Sequence, residues 1–143
     1  MQVAETNIIE LLKNQIGASE ITAAKLKNND IEVELNRAKI KEAILFFKQH
    51  GYDQIITIIP VELDNGFQLI YCLENKGAIA ALKIKIPCDD LTVETTSDIM
   101  KGAENLEKEA RDLFGLKFKG LKEGRIIAPD GWPEKPIMLK RKL

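Results

Sequence analysis

The sequence predicts an α+β fold in which an antiparallel sheet carries helices packed on one face and an extended C-terminal tail follows. Two observations lead there. Three consecutive β-rich runs are separated by the turn tripeptides Asp64-Asn65-Gly66 and Asn75-Lys76-Gly77, and other segments repeat their apolar residues at helical spacing. A third, the prolines Pro129, Pro133 and Pro136, argues against long regular elements near the end of the chain. The chain is accordingly divided into an α+β domain over 1–116 and a basic, proline-bearing tail over 117–143.

Thr6 is a candidate cap for a helix running to Ile16, with Ile8, Ile9, Leu11, Leu12 and Ile16 on its apolar side and Gly17 ending it. Ile21 to Lys27 and Ile31 to Leu35 alternate around Asn28-Asn29-Asp30, which predicts a hairpin. From Asn36, a candidate N-cap, to Gly51, the residues Ile40, Ala43, Ile44 and Phe47 form the stripe of an amphipathic helix. Gln54 to Leu63, Phe67 to Glu74 and Ala78 to Ile86 then predict a meander that Pro87 stops. Thr96 to Phe114 reads as a helix through Ile99, Ala103, Leu106, Ala110 and Leu113, with Gly115 placed for a left-handed C-terminal cap.

Composition excludes several function classes. The 143 residues are 45% apolar and 30% charged, with a net charge of −1, so no global electrostatic footprint for nucleic acid or an anionic membrane exists. A chain of this size buries roughly 70% of its unfolded surface and needs no disulfide or metal to hold a core. Cys72 and Cys88 form no C-x-x-C pair, which implies a reducing compartment. Glu5, Glu10 and Lys13 interrupt the first apolar stretch, so a signal peptide is not expected, and no run approaches the roughly 18 to 20 apolar residues of a membrane span. A cytoplasmic protein is the expectation.

The charge is nevertheless segregated. Residues 1–86 carry 10 basic and 11 acidic side chains, residues 87–116 carry 3 and 8, and residues 117–143 carry 8 and 3. An acidic segment followed by a basic one implies mutual attraction or a surface made to meet another protein.

Catalytic groups are scarce. The single histidine, His50, falls at a predicted helix end, where a capping role suits it. Cys72 lies between Tyr71 and Leu73 and reads as a small core residue. Asp89, Asp90, Glu94 and Asp98 lack the glycine and terminal glutamate of a calcium loop and read as a solvated loop. Glu104 with Lys108, Glu107 with Arg111, and Lys108 with Asp112 are opposite charges at i, i+4, the pattern of a solvated helix face. Phosphate-loop, dinucleotide, nucleophile-elbow and zinc-protease motifs are all absent from the sequence.

One constellation is specific. The segment Leu106-Glu107-Lys108-Glu109-Ala110-Arg111-Asp112-Leu113-Phe114-Gly115-Leu116 precedes Arg125-Ile126-Ile127-Ala128-Pro129-Asp130-Gly131-Trp132-Pro133. Together, over about a quarter of the chain, they resemble the signature of the 30 kDa, or C-type, subunit of respiratory complex I, an NADH-quinone oxidoreductase, and of its counterparts in energy-converting membrane-bound nickel-iron hydrogenases. Glu107, Glu109, Asp112, Phe114, Gly115, Arg125, Pro129, Asp130 and Trp132 match that pattern residue by residue, and Ser97-Asp98-Ile99 and Ala103 sit where the family begins this helix. Lys108 stands for the pattern's central arginine, Leu121-Lys122-Glu123-Gly124 is shorter than the complex I sequence at that place, and Ile137-Met138-Leu139 departs from its ending. The wording Glu109-Ala110-Arg111-Asp112-Leu113-Phe114-Gly115-Leu116, the Gly120-Leu121 pair and Trp132-Pro133-Glu134 resemble the hydrogenase branch more closely.

The resemblance implies a non-catalytic subunit without a cofactor of its own, peripheral on the cytoplasmic face of the membrane. It would dock on a hydrogenase-like large subunit, with the nickel-iron centre and iron-sulfur clusters held by partner subunits. The matching residues become candidates for partner contact: Trp132 as a buried aromatic anchor, Arg125 as the partner of a carboxylate on this chain or its neighbour. Trp132 and Phe114 packing onto the domain's own core is the competing expectation, as are surface ion pairs for Glu107 and Glu109. Two further alternatives stand: the matching 30 kDa subunit of a complex I-type quinone oxidoreductase, and a free-standing module that binds a protein or RNA.

Overall fold

A computed structural model describes residues 2–121, with side chains from Ile8 onward. Helix α1 spans Gln2–Ile16, so it begins before the Thr6 cap expected for it. It ends at Gly17, whose φ of 99° lets its amide reach the Lys13 carbonyl at 2.9 Å. Ile9, Leu12 and Ile16 face inward, whereas Leu11 is exposed.

The predicted hairpin forms from β1 (Ile21–Lys27) and β2 (Asp30–Leu35), turning through Asn28 at φ 58°. Asn36 caps a single 3-10 turn, Arg37–Lys39, by accepting the Ala38 amide at 2.9 Å, and α2 (Ile40–Gln49) continues from it. The stripe Ile40, Ala43, Ile44 and Phe47 is buried, joined by Phe46. His50 closes α2: its Nδ1 lies 2.8 Å from the Phe46 carbonyl and its ring lies over that of Phe46, with centroids 4.2 Å apart. That is the structural role expected of it.

Strands β3 (Gln54–Leu63), β4 (Gly66–Asn75) and β5 (Ala78–Pro87) make the antiparallel meander. Hairpin and meander join in one sheet ordered β1-β2-β5-β4-β3, and the join, β2 against β5, is parallel. Chain direction requires this. Helix α2 returns the chain to the start of the sheet, so β3 and β5 both run the way β2 does.

One face of the sheet is the core. Ile31 and Val33 of β2, Leu82 and Ile84 of β5, and Leu69, Tyr71 and Leu73 of β4 are all buried there with Leu12, Ile44, Phe47 and Ala103 from the three helices. On the opposite face Glu32 pairs with Lys83 at 3.1 Å and Glu34 with Lys85 at 3.5 Å, and Ile59 and Val61 are exposed. Cys72 lies on this second face, opposite Thr57 and Ala81, and is only half-buried. It is therefore not the core residue that its apolar neighbours imply, because strand residues alternate faces and both Tyr71 and Leu73 take the inner one.

After Pro87 the structure departs from the predicted long helix. A short strand β6 (Thr92–Glu94) precedes a turn, and α3 covers only Ala103–Phe114. Thr95 and Thr96 are buried in non-helical chain, the Thr96 carbonyl takes the amides of Ile99 and Met100, and Gly102 at φ 94° separates this turn from α3. The apolar spacing of Ile99 and Ala103 imitates helix because both residues pack on the same core from different local geometries. Gly115, at φ 80°, caps α3 through the Arg111 carbonyl at 2.9 Å, as expected. Strand β7 (Lys117–Lys119) then pairs in parallel with β6, so the extended segment predicted from residue 117 begins as part of the domain.

Candidate functional site

Helix α3 places the matched motif residues, and it places them differently from a solvated face. Its apolar side lies over β3, and its other side is closed by the chain around Thr95, so side chains that alternate charges in sequence end up inside. Glu107 is fully buried, and Lys108 and Asp112 are nearly so. The reading of these residues as exposed i, i+4 partners is thereby corrected, although Lys108 does reach Glu104 at 2.8 Å.

Glu107 is the centre of the arrangement. Its carboxylate accepts the Thr95 hydroxyl, the Thr96 amide at 2.7 Å and the Thr96 hydroxyl at 2.9 Å. Burial pushes its carboxyl above the usual value, and the bonds from Thr95 and Thr96 pull it back. Tyr71 projects from β4 into the same interior; burial, and then the charge of Glu107, push its phenol well above the ordinary range. Among the described residues its hydroxyl has no hydrogen-bond partner.

The remaining motif residues divide. Asp112 is buried and receives the Arg111 Nε at 3.0 Å. Phe114 packs edge-on against Phe67, with centroids 5.8 Å apart, so it serves this domain's own core. Gly115 is the helix cap, and Glu109 is exposed on the outer side of α3. Arg125, Pro129, Asp130 and Trp132 lie outside the described residues.

A second polar joint sits at the other end of β6. The Arg37 guanidinium donates to the Asp90 carbonyl at 2.6 Å, the Thr92 carbonyl at 2.9 Å and the Asp90 carboxylate at 2.7 Å. Hydrogen bonds from Thr92 and Arg37 hold the Asp90 carboxyl below its usual range. Asp98 is similarly lowered by Lys41, 2.8 Å away, so these two acids are ion-pair partners rather than merely solvated. No local signal singles out Thr95, Thr96 or Arg37, since each meets its partner across 11 to 55 residues. The Cys72 thiol is raised by burial, the direction opposite to activation. Among the described residues no group of three His, Cys, Asp or Glu is placed to hold a metal, and no helix is long and apolar enough to cross a membrane.

The family described as the respiratory-chain NADH dehydrogenase 30 Kd subunit matches residues 33–142. The chain belongs to that family. Among relatives of the 30 kDa subunit, the C-type subunit of the NADH-quinone oxidoreductase of Geobacter sulfurreducens is 26% identical, over 94% of this chain and 88% of its own length. The fused C/D-type protein of the Pseudomonas fluorescens oxidoreductase is 25% identical over 93% of this chain, and subunit 5 of the Thermus thermophilus one is 26% identical over 73%. The chain spans only 25% of the Pseudomonas protein and 58% of the Thermus one.

Two solved structures share the fold. A chain of the archaeal membrane-bound sulfane sulfur reductase, a respiratory membrane complex, superposes with a TM-score of 0.77 at 23% identity, covering 92% of this chain and 79% of that one. The trypsin-resistant fragment of Nqo5 gives 0.66 at 21% identity, covering 81% and 98%. The chain is thus a complex I-type 30 kDa module, and its homologues are subunits of multisubunit respiratory complexes.

Proposed function

We propose that this chain is a non-catalytic peripheral subunit of a membrane-bound, energy-converting nickel-iron hydrogenase, docked on the hydrogenase-like large subunit. The observation that carries the reading is that the family likeness runs on to residue 142, so that it takes in both α3 and the basic segment of the sequence after it. Glu107, Asp112 and Phe114 serve the interior, and in this reading exposed Glu109 and the motif residues Arg125, Pro129, Asp130 and Trp132 meet the partner. In this reading the nickel-iron centre and the iron-sulfur clusters belong to partner subunits, and attachment to the cytoplasmic face of the membrane goes through them. The hydrogenase-like wording of α3 and of Trp132-Pro133-Glu134 favours this branch.

A second reading has its own support. Relatives named as C-type subunits of NADH-quinone oxidoreductases favour a complex I-type assembly that passes electrons to a quinone. The test is to tag the chain in its native host, solubilise membranes gently, and analyse what co-purifies by mass spectrometry with metal analysis. Nickel with iron-sulfur subunits and membrane proteins is the expected result. The same set without nickel, but with quinone reductase activity, replaces it by the complex I reading. Recovery of the chain alone in repeated preparations overturns both in favour of a free-standing module.

A further inference from the structure

A sheet face left to water alternates apolar residues inward with polar ones outward. The outer face of this sheet follows that rule on one half only. On β2 and β5 its outward side chains are charged and already matched, Glu32 to Lys83 and Glu34 to Lys85. On β4 the outward residues between Gln68 and Glu74 are Ile70 and Cys72, and beside them on β3 stand Thr57, Ile59 and Val61. Ile59 and Val61 are 42% and 37% exposed, a contiguous apolar patch of the kind that marks a contact with another protein. All three helices pack on the inner face, so no described helix covers it.

The nearer edge of the sheet does not invite another strand. Strand β3 forms that edge, and Pro60 within it has no N–H to donate, while an irregularity between Ile55 and Thr57 breaks its register. A partner therefore meets the face rather than extending the sheet. Charge identifies its chemistry. At the far edge, Lys25 and Lys27 of β1 lie on this same face, exposed, and neither has an ion-pair partner among the described residues. The carboxylates beside them are occupied: Asp30 accepts the Ile79 amide at 3.0 Å, and Glu32 and Glu34 hold the lysines of β5. Next to Lys25 the small residues Ala81 and Ala23 open hollows of about 390 and about 240 Å³ in which side chains of another chain can seat. The face thus offers apolar surface on one half and unmatched positive charge on the other.

We infer that this outer face, from Ile59 and Val61 across to Lys25 and Lys27, docks a segment of a partner subunit that is apolar where it covers Ile59, Val61 and Ile70 and acidic where it reaches the two lysines. A second copy of this chain fits poorly. Turned face to face about a two-fold axis along the strands, it would lay its lysines on the other copy's apolar half; about an axis across the strands, it would lay them on the same lysines. The inference rests on the docking role proposed above and gives that role a surface on the sheet.

The test uses the full chain, tagged in its native host, with the photo-crosslinker benzoylphenylalanine in place of Ile59. Illumination of the membranes before solubilisation is expected to join the chain to a different subunit of its complex, through a peptide in which Asp or Glu accompanies apolar residues. Lys25→Glu combined with Lys27→Glu is expected to lower the yield of that crosslink and the recovery of that subunit several-fold. Lys25→Arg combined with Lys27→Arg should keep both, and the melting temperature of the isolated chain should be the same in the two pairs. A crosslink to a second copy or to the chain's own residues overturns the inference. So does a yield indifferent to charge reversal, and so does a lower melting temperature in the reversed pair, which would mark a structural role for the lysines. Partner subunits recovered without a crosslink at Ile59 sink this surface alone, whereas a wild-type chain that recovers no partner sinks the docking reading and this inference with it. Should the chain not fold with the crosslinker at Ile59, Val61 takes it with the same expectations.

Discussion

Glu107 and Thr96 are joined twice: one carboxylate oxygen accepts both the Thr96 amide at 2.7 Å and its hydroxyl at 2.9 Å. Because the pair is buried, folding changes the acidity of Glu107. Its carboxyl is raised above the usual 4.5, so the folded chain keeps the proton to higher pH than the unfolded chain does. Stability from this group is complete below its unfolded value and is lost as pH rises through the folded one. The denaturation midpoint of the wild type should therefore fall, relative to Glu107→Gln, as pH rises above the ordinary carboxyl value of 4.5. Asp90 and Asp98, whose carboxyls are lowered, act with the opposite sign below that window and are shared by both proteins. A difference between the two midpoints that is independent of pH would contradict the assignment.

Tyr71 buries a hydroxyl that finds no partner among the described residues. Such a group costs about 1–3 kcal/mol of desolvation without return. Tyr71→Phe should leave urea-unfolding stability unchanged or raise it by up to about 1 kcal/mol. A clear loss would mean that a partner is supplied to this hydroxyl.

Gly66 and Gly77 end the two meander turns but answer differently to a methyl group. A Cβ on Gly66 would lie 2.0 Å from the Ile86 carbonyl oxygen and 2.9 Å from the Pro87 Cα, both backbone atoms. On Gly77, at φ 91°, it would meet nothing within 4 Å. Gly77→Ala should cost about 1–2 kcal/mol, the strain of a left-handed residue with a Cβ. Gly66→Ala should cost more, because strand β5 has to move, and thermal unfolding of the two variants side by side decides it.

Arg125→Ala and Trp132→Ala should each reduce recovery of partner subunits several-fold while the isolated chain keeps its circular dichroism spectrum and its melting temperature. Truncation after Leu121 should behave the same way. Unfolding of the isolated chain by either substitution would assign that side chain to internal packing instead.

Local pattern carries much of this fold. Alternation in Gln54 to Leu63 and its two successors, the stripe Ile40, Ala43, Ile44 and Phe47, and the caps Gly17, Asn36 and Gly115 all depend on neighbours within a few residues, so they are legible directly. The family signature is legible for a related reason, since its residue types stand at set spacings along α3 and the segment after it. The start of α3 is not, because Thr96 to Gly102 offers helical spacing of apolar residues, while the bonds that keep Thr95 and Thr96 out of helix come from Glu107, a turn or more away on another element.

By itself the sequence determined the hairpin, the meander, α2, the end of α3 and the membership in a family of respiratory subunits, because each rests on order along the chain. Only the tertiary structure decided that β2 meets β5 in parallel, that Cys72 turns outward, and that Glu107, Lys108 and Asp112 are interior rather than a charged surface. The reason is physical. A charge pattern on a helix is the same whether water or another segment covers it, and what covers α3 is the chain around Thr95, brought there by pairings such as Thr95 with Lys119 that no local signal encodes.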